Sequence, residues 1–485
     1  MSFEMNVSLI RLEMAVLLAG LAVLLLDLWL PAARRRPLGY GAALALLGIL
    51  LLSFTLDGTR PAEAFGGMYV LDALALFFKR LFLLAGALVM VLAVEFADRI
   101  ETGLSEFYAL ILFALSGMMF AASANDFSML FVSIELIAVT FYVLTSFQRS
   151  RRSSLEAGVK YLILGAVASA LMVYGIALVY GAAGTMRFDV LGVRTAQVSG
   201  QPLFLVGLLL VFLGLAFKIG TFPMQVWVPD VYQGAPTPVT AFLAVGSKAA
   251  GVVLLLRLYF GVVVDVTLSW EFVFMALSAL TILYGNLCAL PQRNLKRLLG
   301  YSSIAHAGYL LLGAAAATAS GSMAMLYYLA GYLFTVVAAF TVIAVVIRQS
   351  GAEDISALAG LHRRSPLLAA TMTMAMVSLA GVPPLAGFFG KFLLLRAVAE
   401  RAAMLPSYYW LLGVAIFGMV VSLWYYFGVI RAMFWSKEPA SEEPIHVSLP
   451  ARVSLGICIA GMLYLGLLPG ATVHLATEAV RVLKF

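Results

Sequence analysis

The sequence predicts an all-α polytopic membrane protein with about 14 transmembrane helices. Of its 485 residues, 63% are hydrophobic and 11% are charged, and the mean hydropathy of +1.02 is far above that of soluble domains. Apolar runs near the ~18 to 20 residues that cross a hydrocarbon core recur along the whole chain. Because no polar stretch is long enough for a separate soluble domain, we expect residues 1–485 to form a single membrane domain.

Each apolar run gives one predicted span. The spans are predicted at about residues 8–30, 39–56, 69–94, 104–122, 126–147, 157–181, 202–229, 236–264, 270–291, 295–317, 322–348, 366–400, 407–434 and 449–469. Arginine clusters fall in loops of odd number, at residues 34–36, 149–152, 293–297 and 363–364. Positive charge marks the cytoplasmic side, so an even number of helices predicts both termini on the periplasmic side. This orientation accounts for the net charge of +7 without a nucleic-acid partner.

Proline interrupts two of these spans. The seventh is interrupted from Gly220 to Pro223 and the twelfth from Gly381 to Gly387. Broken backbone at membrane depth is tolerated only where protein covers it or where it lines a cavity. The interruptions lie five spans apart, which predicts a repeat of five helices with sites near the midplane, as in many transporters. Two kinks without function are the alternative.

Four ionisable residues lie within apolar sequence in the spans. Glu135 is predicted ~14 Å into the fifth span, and Lys218, Lys248 and Lys391 lie in the seventh, eighth and twelfth. Four unpaired charges at these depths would cost on the order of 10 kcal/mol. Since desolvation disfavours the charged form, each group can take up and release a proton, which is the chemistry of a proton relay. Static ion pairs are the alternative, although three lysines cannot all pair with one glutamate.

The tenth span carries two further candidates, Lys296 and His306. They are ~15 Å apart along a helix, and Ser302 and Ser303 between them could join them in one hydrated path. Two arginines flank Lys296, which on its own predicts an interfacial residue of the positive-inside kind. His306 fits a hydrogen-bonded core histidine as well as a relay.

Other ionisable residues in or near the spans are less informative. Asp27 and Lys160 are predicted to cap or snorkel at helix ends, whereas Glu13 and Asp72 remain open. Cys288 and Cys458 are the two cysteines, too few for a zinc or iron–sulfur site. We therefore expect no metal or cofactor on this chain and any redox chemistry in partner subunits.

Several motifs resemble the subunit N family of bacterial NADH:quinone oxidoreductase, complex I. Residues 227–242 read Trp-Val-Pro-Asp-Val-Tyr-Gln-Gly-Ala-Pro-Thr-Pro-Val-Thr-Ala-Phe, a run similar to subunit N rather than to its paralogues L and M. Further matches are Glu-Ala-Gly-Val-Lys-Tyr at 156–161, Tyr-Ser-Ser-Ile-Ala-His at 301–306, residues 378–391 and Trp-Tyr-Tyr at 424–426. Together they extend over nearly the whole chain.

The resemblance implies the antiporter-like fold, with two inverted five-helix repeats and broken helices 7 and 12. Helices 1–3 would occupy about 8–94, the first repeat about 104–264, the second about 270–434 and the last helix about 449–469. It also implies a proton relay, which reverses the assignment of Lys296 as interfacial. The residues at relay positions are Glu135, Lys218, Lys248, Lys296, His306 and Lys391. We expect the proton to pass from Lys218 through Lys248 and Lys296 to Lys391, with Glu135 as the gate.

The sequence departs from the family pattern in three places. Met224 and Gln225 follow Pro223 where the family has Phe-His, and a glutamine cannot titrate. Residues 336–338 are Val-Val-Ala in place of Asn-Leu-Gly, and Gly300 replaces a common alanine.

By resemblance, the function is that of a non-redox, proton-translocating subunit in the inner membrane. NADH, FMN, iron–sulfur clusters and quinone are then expected in partner subunits, with subunits M and K as membrane neighbours. The alternatives are a subunit of a multisubunit cation/proton antiporter or of a membrane-bound hydrogenase, and a membrane scaffold that translocates nothing.

Overall fold

The computed structural model describes residues 6–31, 34–263, 270–436 and 443–485. In these ranges thirteen helices are long and apolar enough to cross a membrane, and two shorter helices in line make a fourteenth crossing. The crossings are α1 (Arg11–Asp27), α2 (Arg36–Ser53), α3 (Ala73–Glu95), α4 (Leu104–Ala122), α5 (Phe127–Thr145), α6 (Arg152–Ala183), α7 (Pro202–Ile219 and Val228–Gly234), α8 (Thr237–Val263), α9 (Trp270–Ala289), α10 (Leu295–Ala316), α11 (Ala319–Ser350), α12 (Pro366–Ala380 and Ala386–Ala402), α13 (Tyr408–Trp435) and α14 (Leu449–Leu467).

Successive crossings alternate between two faces of the molecule. On the face that we call the hairpin face, strands β1 (Ala62–Ala64) and β2 (Tyr69–Leu71) pair antiparallel. Isolated bridges join this hairpin to the α4–α5 loop and that loop to residue 187. The opposite face, called the arginine face, carries the loops at 96–103, 146–151 and 351–365, which include the predicted arginine clusters at 149–152 and 363–364.

Hydropathy predicted the helix positions to within a few residues, and α4 coincides with its prediction. The third span was predicted from residue 69, but residues 69–71 form β2. Asp72 explains the later start, because its extended backbone and its side-chain hydrogen bond from the Ala75 N–H cap the helix. The last residue of the predicted eighth span, 264, lies outside the described residues.

Two helices of eleven residues were not predicted, Phe188–Val198 and Gly470–Val480. At ~1.5 Å per residue they are too short to cross a bilayer. The chain therefore continues as a helix beyond the predicted last span, and His474 lies on it.

The most enclosed crossings lie at the centre of the bundle. The most apolar windows of α8 and α10 are 100% buried within the chain, whereas those of α1 and α6 are 28% and 33% buried. Polar side chains on α8 and α10 are therefore shielded by protein on every side, and those on α6 lie at the edge.

Both predicted breaks are present, in α7 and α12. The first half of each helix ends at a glycine in the left-handed region, Gly220 at φ 80° and Gly381 at φ 84°, where a side chain would be strained. A cis X–Pro peptide follows in each, at Phe222–Pro223 and Pro383–Pro384. The two breaks are thus built in the same way.

Candidate functional site

Lys218 lies in the last turn of the first half of α7, just before the break. Its side chain is 5% exposed, and its Nζ has no hydrogen-bond partner among the described residues. The Phe217 ring centroid lies 5.7 Å from that Nζ. Gly251 of α8 packs against Lys218, since a Cβ built on this glycine would lie 3.4 Å from the Lys218 Cβ. Lys218 is therefore a buried amine held next to α8 without a polar partner.

Glu135 is half-buried at the edge of the bundle, so the prediction that it is buried is wrong for the chain by itself. Its carboxylate accepts a hydrogen bond from the Ser169 hydroxyl and lines a cleft of about 590 Å³ that also includes Tyr142 and Arg149. The reason is the peripheral position of α5 and α6, which leaves one side of Glu135 uncovered. In this conformation its recorded hydrogen bond is with Ser169 and not with Lys218.

Lys248 follows a π-helical turn, Leu243–Ser247, within α8. Such turns interrupt the regular hydrogen-bond ladder and recur at functional sites. The Lys248 ammonium donates to the Ser303 hydroxyl at 2.5 Å and to the Ser303 carbonyl, and the Tyr332 ring centroid lies 5.3 Å from its Nζ. Lys248 therefore contacts α10 through Ser303.

His306 is enclosed by tyrosines. Its Nδ1 is hydrogen-bonded to the Tyr328 hydroxyl and its Nε2 to the Tyr426 hydroxyl at 3.0 Å. The Tyr426 hydroxyl also lies 2.5 Å from the Ser302 hydroxyl. Both ring nitrogens therefore have partners that can donate or accept, so this imidazole can receive a proton on one nitrogen and lose one from the other.

Lys391 lies in the second half of α12 and reaches back to the break. Its Nζ donates to the carbonyls of Leu379 at 2.7 Å and Ala380 at 3.2 Å. These carbonyls end the first half of the helix, where the helix dipole is negative. The Tyr309 ring centroid lies 4.8 Å from the same Nζ. The break thus supplies the oxygens that hold this amine.

Helix α10 brings these groups into one cluster. Ser303, His306 and Tyr309 recur at intervals of three and so share one side of the helix. Lys248 contacts the first and Lys391 the last. We call the set Lys248, Ser303, His306, Tyr309 and Lys391 the central cluster.

Lys296 lies apart from the central cluster. It is seven residues before Ser303, or ~10 Å along α10 towards the arginine face. Its Nζ donates to the Ala235 carbonyl at 3.1 Å and lies 3.2 Å from a carboxylate oxygen of Glu353. In this structure Lys296 therefore does not lie between Lys248 and Lys391, where the predicted order placed it. Lys296 is buried, at 1% exposure, but it forms a branch towards the arginine face.

Glu353, in the α11–α12 loop, was not identified from the sequence. Besides Lys296, it is paired with Arg151 at 3.0 Å. Burial alone would raise the pKa of this carboxyl, but Lys296 and Arg151 beside it hold the pKa below its ordinary value. A loop carboxylate has no apolar flanks to mark it, so hydropathy carries no signal for it.

The sequence reasoning also missed the tyrosines that join the relay residues. Tyr328 and Tyr332 lie one turn apart on α11, and the Tyr232 hydroxyl lies 3.0 Å from that of Ser303. The signal available in the sequence was the spacing of four residues between Tyr328 and Tyr332 in an apolar helix. It did not single them out, because tyrosine is also an ordinary core residue. Hydroxyl groups thus contact Lys248 and His306, whereas backbone carbonyls hold Lys391.

Two residues predicted to cap or snorkel at helix ends form exposed or partly exposed ion pairs. Lys160 is 41% exposed and is paired with Glu156 and Asp230. Asp27 is paired with Arg35 at 2.8 Å. Neither residue contacts the central cluster.

The family departures lie at or near the break in α7 and in α10 and α11. Gln225 is 2% exposed, and its side-chain oxygen has no hydrogen-bond partner among the described residues. Gly300 is packed against α7, and an added Cβ would meet atoms at 3.3 to 3.5 Å, so an alanine there would be tight but nearly accommodated. Val336 to Ala338 are buried apolar residues of α11.

Comparisons with known proteins agree with the resemblance that the sequence motifs show. Residues 124–422 match the family model described as NADH:quinone oxidoreductase/Mrp antiporter, TM. The chain is 40% identical over 480 residues to the NADH-quinone oxidoreductase subunit N of Desulforamulus reducens, covering 99% of each chain. It is similar to a chain of respiratory complex I from Thermus thermophilus, with 34% identity, a TM-score of 0.79, and coverage of 96% of this chain and 99% of that one.

A more distant similarity supports the fold alone. A chain of the Mrp complex from Dietzia sp. has 21% identity and a TM-score of 0.81, with 99% of this chain and 98% of that one covered. The same arrangement of helices therefore occurs in respiratory complexes and in Mrp complexes.

Proposed function

Because the chain belongs to the NADH:quinone oxidoreductase/Mrp antiporter family, with subunit N relatives matching it end to end, we propose that it translocates protons as subunit N of an NADH:quinone oxidoreductase. The central cluster is the observation that carries the proposal. Two lysines and a histidine, all nearly excluded from solvent, lie along α10, where Lys248 is bound to the Ser303 hydroxyl and His306 to the Tyr426 hydroxyl. An apolar core would be simpler and less costly for a scaffold that moves nothing.

The first step takes place at Lys218. When Glu135 moves towards Lys218, the ammonium is stabilised, and when it withdraws, the N–H bond of Lys218 breaks and one forms at Lys248. Gly251, one turn beyond Lys248, lets the two helices approach closely at this point. The unpartnered Lys218 Nζ supports a withdrawn state of the gate.

The proton then passes along the central cluster to Lys391. Lys248 gives it up to the hydroxyl groups of Ser303 and Ser302, and Tyr426 hands it to His306 Nε2. His306 then loses a proton from Nδ1 to the Tyr328 hydroxyl, and from there a proton passes to Lys391. Against ~100 mV each charge requires ~2.3 kcal/mol, which quinone reduction elsewhere in the complex would supply.

The partners and orientation are part of the same proposal. The half-buried Glu135 at the edge supports a neighbouring membrane subunit, of the M or K type, covering α5 and α6. The arginine face would be cytoplasmic, with both termini periplasmic in an inner membrane. NADH, FMN, iron–sulfur clusters and quinone would be held by partner subunits.

The test is Lys218→Ala in the assembled complex reconstituted into vesicles. We expect NADH-driven proton uptake to fall at least tenfold while the subunit still assembles. Lys160→Ala is the matched control, because Lys160 is exposed and its partner Asp230 retains Arg297. Normal pumping by the Lys218 variant would refute the proposal.

An Mrp-type cation/proton antiporter subunit is the second candidate, favoured by the shared fold. The two candidates differ in what the chain is purified with in mild detergent. NADH-oxidising, flavin-containing partners support the first, and sodium-dependent proton exchange in their absence supports the second.

A further inference from the structure

A second group of buried ionisable residues lies outside the relay, between α1 and α3. Glu13 and Lys79 form an ion pair of 2.7 Å in which both side chains are 0% exposed. The Tyr69 hydroxyl accepts from Lys79 at 2.6 Å and is 3.0 Å from the same Glu13 oxygen. We call Glu13, Tyr69 and Lys79 the α1–α3 triad.

The hydrogen-bonding capacity of the triad is not fully used. The second carboxylate oxygen of Glu13, Oε2, is buried and has no hydrogen-bond partner in the described part of the chain. An unpaired buried oxygen of this kind costs ~1 to 3 kcal/mol, and more when it is charged. A proton on Oε2 would neutralise the carboxylate.

A second ionic contact links the triad to the hairpin face. Asp72 lies seven residues before Lys79, which is two turns and the same side of α3. It is bound at both oxygens by the Arg257 guanidinium, at 2.9 and 3.1 Å. Arg257 is on α8, nine residues after Lys248. Asp72 therefore stands between the triad and the central crossings.

Asp72 and Arg257 also line a polar cavity on the hairpin face. The cavity has a volume of about 190 Å³, enough for several waters. Glu63, Asp189 and Lys484 add charges to its lining, and all three belong to the hairpin face. The cavity therefore has room for water next to Asp72 and Arg257, about two helical turns from Lys79.

We propose that the α1–α3 triad is a second proton-binding site of this chain, exchanging with the hairpin face through the cavity at Asp72 and Arg257. An O–H bond forms at Glu13 Oε2 when the site takes up a proton and breaks when the proton passes to cavity water, so the triad alternates between neutral and singly positive. This inference rests on the proposed function for the use of the proton, but the site itself uses none of the relay residues. The charged groups that face Glu13 and Lys79 are Tyr69, Asp72 and Arg257.

The functional test is the double variant Glu13→Gln/Lys79→Met in the assembled complex. Because it removes both charges together, no charge is left buried without a partner. We expect assembly and NADH:quinone activity to persist, the number of protons moved per NADH to fall, and the pH dependence of pumping to flatten. Glu95→Gln/Arg348→Met is the matched control, since it removes another ion pair of α3 at the opposite, arginine face.

A direct measurement keeps the inference testable if the double variant does not assemble. Infrared difference spectra of the intact complex after a pH jump should contain a protonated-carboxyl band that shifts in D₂O and disappears in Glu13→Gln. Tyr69→Phe, which keeps both charges, should shift this band without abolishing it. An unchanged spectrum in Glu13→Gln, or unchanged pumping and pH profile in an assembled double variant, would overturn the inference.

The outcomes separate this inference from the proposed function. If Lys218→Ala stops pumping while the double variant pumps normally, the triad is a static tie between helices and the relay proposal stands. If Lys218→Ala pumps normally, the relay proposal fails, and the infrared band alone decides whether Glu13 binds a proton.

Discussion

At the scale of the residue, the buried lysines differ chiefly in what they bind. Lys391 is held by helix-end carbonyls and Lys248 by both oxygens of Ser303, whereas Lys218 has no hydrogen-bond partner in the described structure. Hydrogen bonds to the protein therefore fix the positions of the Lys391 and Lys248 ammonium groups, and none among the described residues fixes that of Lys218.

The Tyr426 hydroxyl joins Ser302 to His306 and can be removed without changing either residue. Tyr426→Phe leaves the ring in place but disconnects His306 Nε2 from Ser302. We expect a slower relay, seen as at least a fivefold drop in initial proton uptake, for a stability cost of ~1 kcal/mol. The measurement is the initial rate of proton uptake by the complex reconstituted into vesicles. Tyr327→Phe is the control, because that buried hydroxyl donates to the Leu465 carbonyl of α14 and not to the histidine; equal loss in both variants would count against the link.

At the scale of the element, the break in α12 is what positions Lys391. A regular helix would use the carbonyls of Leu379 and Ala380 in its own ladder and leave nothing for the ammonium. The glycine at the break is also closely packed, since a Cβ on Gly381 would lie 2.9 Å from the Lys391 Cδ. The strained backbone and the amine therefore depend on each other.

Gly381→Ala tests this dependence. The substitution puts a side chain at φ 84°, which costs ~1 to 2 kcal/mol, and pushes Lys391 off its carbonyls. We expect lower thermal stability together with loss of pumping. Gly413→Ala in α13 is the control, because no atom lies within 4 Å of its added Cβ. If pumping survives in Gly381→Ala, the carbonyl contacts of Lys391 are not needed.

At the scale of the whole molecule, ionic contacts on the arginine face join segments far apart in the chain. Glu353 bridges Arg151 at the start of α6 and Lys296 at the start of α10. Glu95 at the end of α3 is paired with Arg348 of α11 at 3.0 Å and accepts from the Ser448 hydroxyl. These contacts join helices from the beginning, middle and end of the chain on the arginine face.

Glu353→Gln should therefore weaken the whole subunit. Removing one partner of a buried pair leaves Lys296 less compensated, at a cost of about 3 kcal/mol near neutral pH. The pKa of Glu353 is held below its ordinary value, so the stabilisation is complete above the unfolded-state pKa of ~4.3 and is lost as pH falls through the lower, folded-state pKa. The thermal stability of parent and variant should converge in that acidic range.

The measurement is the temperature at which the subunit dissociates from the detergent-solubilised complex, at neutral and acidic pH. Glu400→Gln is the control, because its pair with Arg396 is exposed and worth well under ~1 kcal/mol. A gap between parent and Glu353→Gln that did not narrow on acidification would contradict the assigned ion pairs.

Sequence reasoning located most of the fold and the titratable members of the site. Membrane crossings depend on consecutive apolar residues, and helix breaks depend on local proline and glycine. Both features can therefore be predicted from residues that are adjacent in the sequence. Lys218, Lys248 and Lys391 stood out because a charge among apolar neighbours is conspicuous wherever the helix finally packs. The short helices Phe188–Val198 and Gly470–Val480 were missed because they neither span nor break an apolar run.

The sequence by itself determined that the chain is a bundle of membrane helices with two broken crossings and charges in the interior. Only the tertiary structure decided which groups meet: Lys296 with Glu353 and not with the central cluster, Glu135 at an open edge, and Glu13 with Lys79. The physical reason is that the cost of burying a charge is a property of the residue and its immediate neighbours along the chain, whereas the partner that offsets the cost comes from another helix. Hydropathy therefore identifies the charge that needs a partner, and helix packing selects the partner.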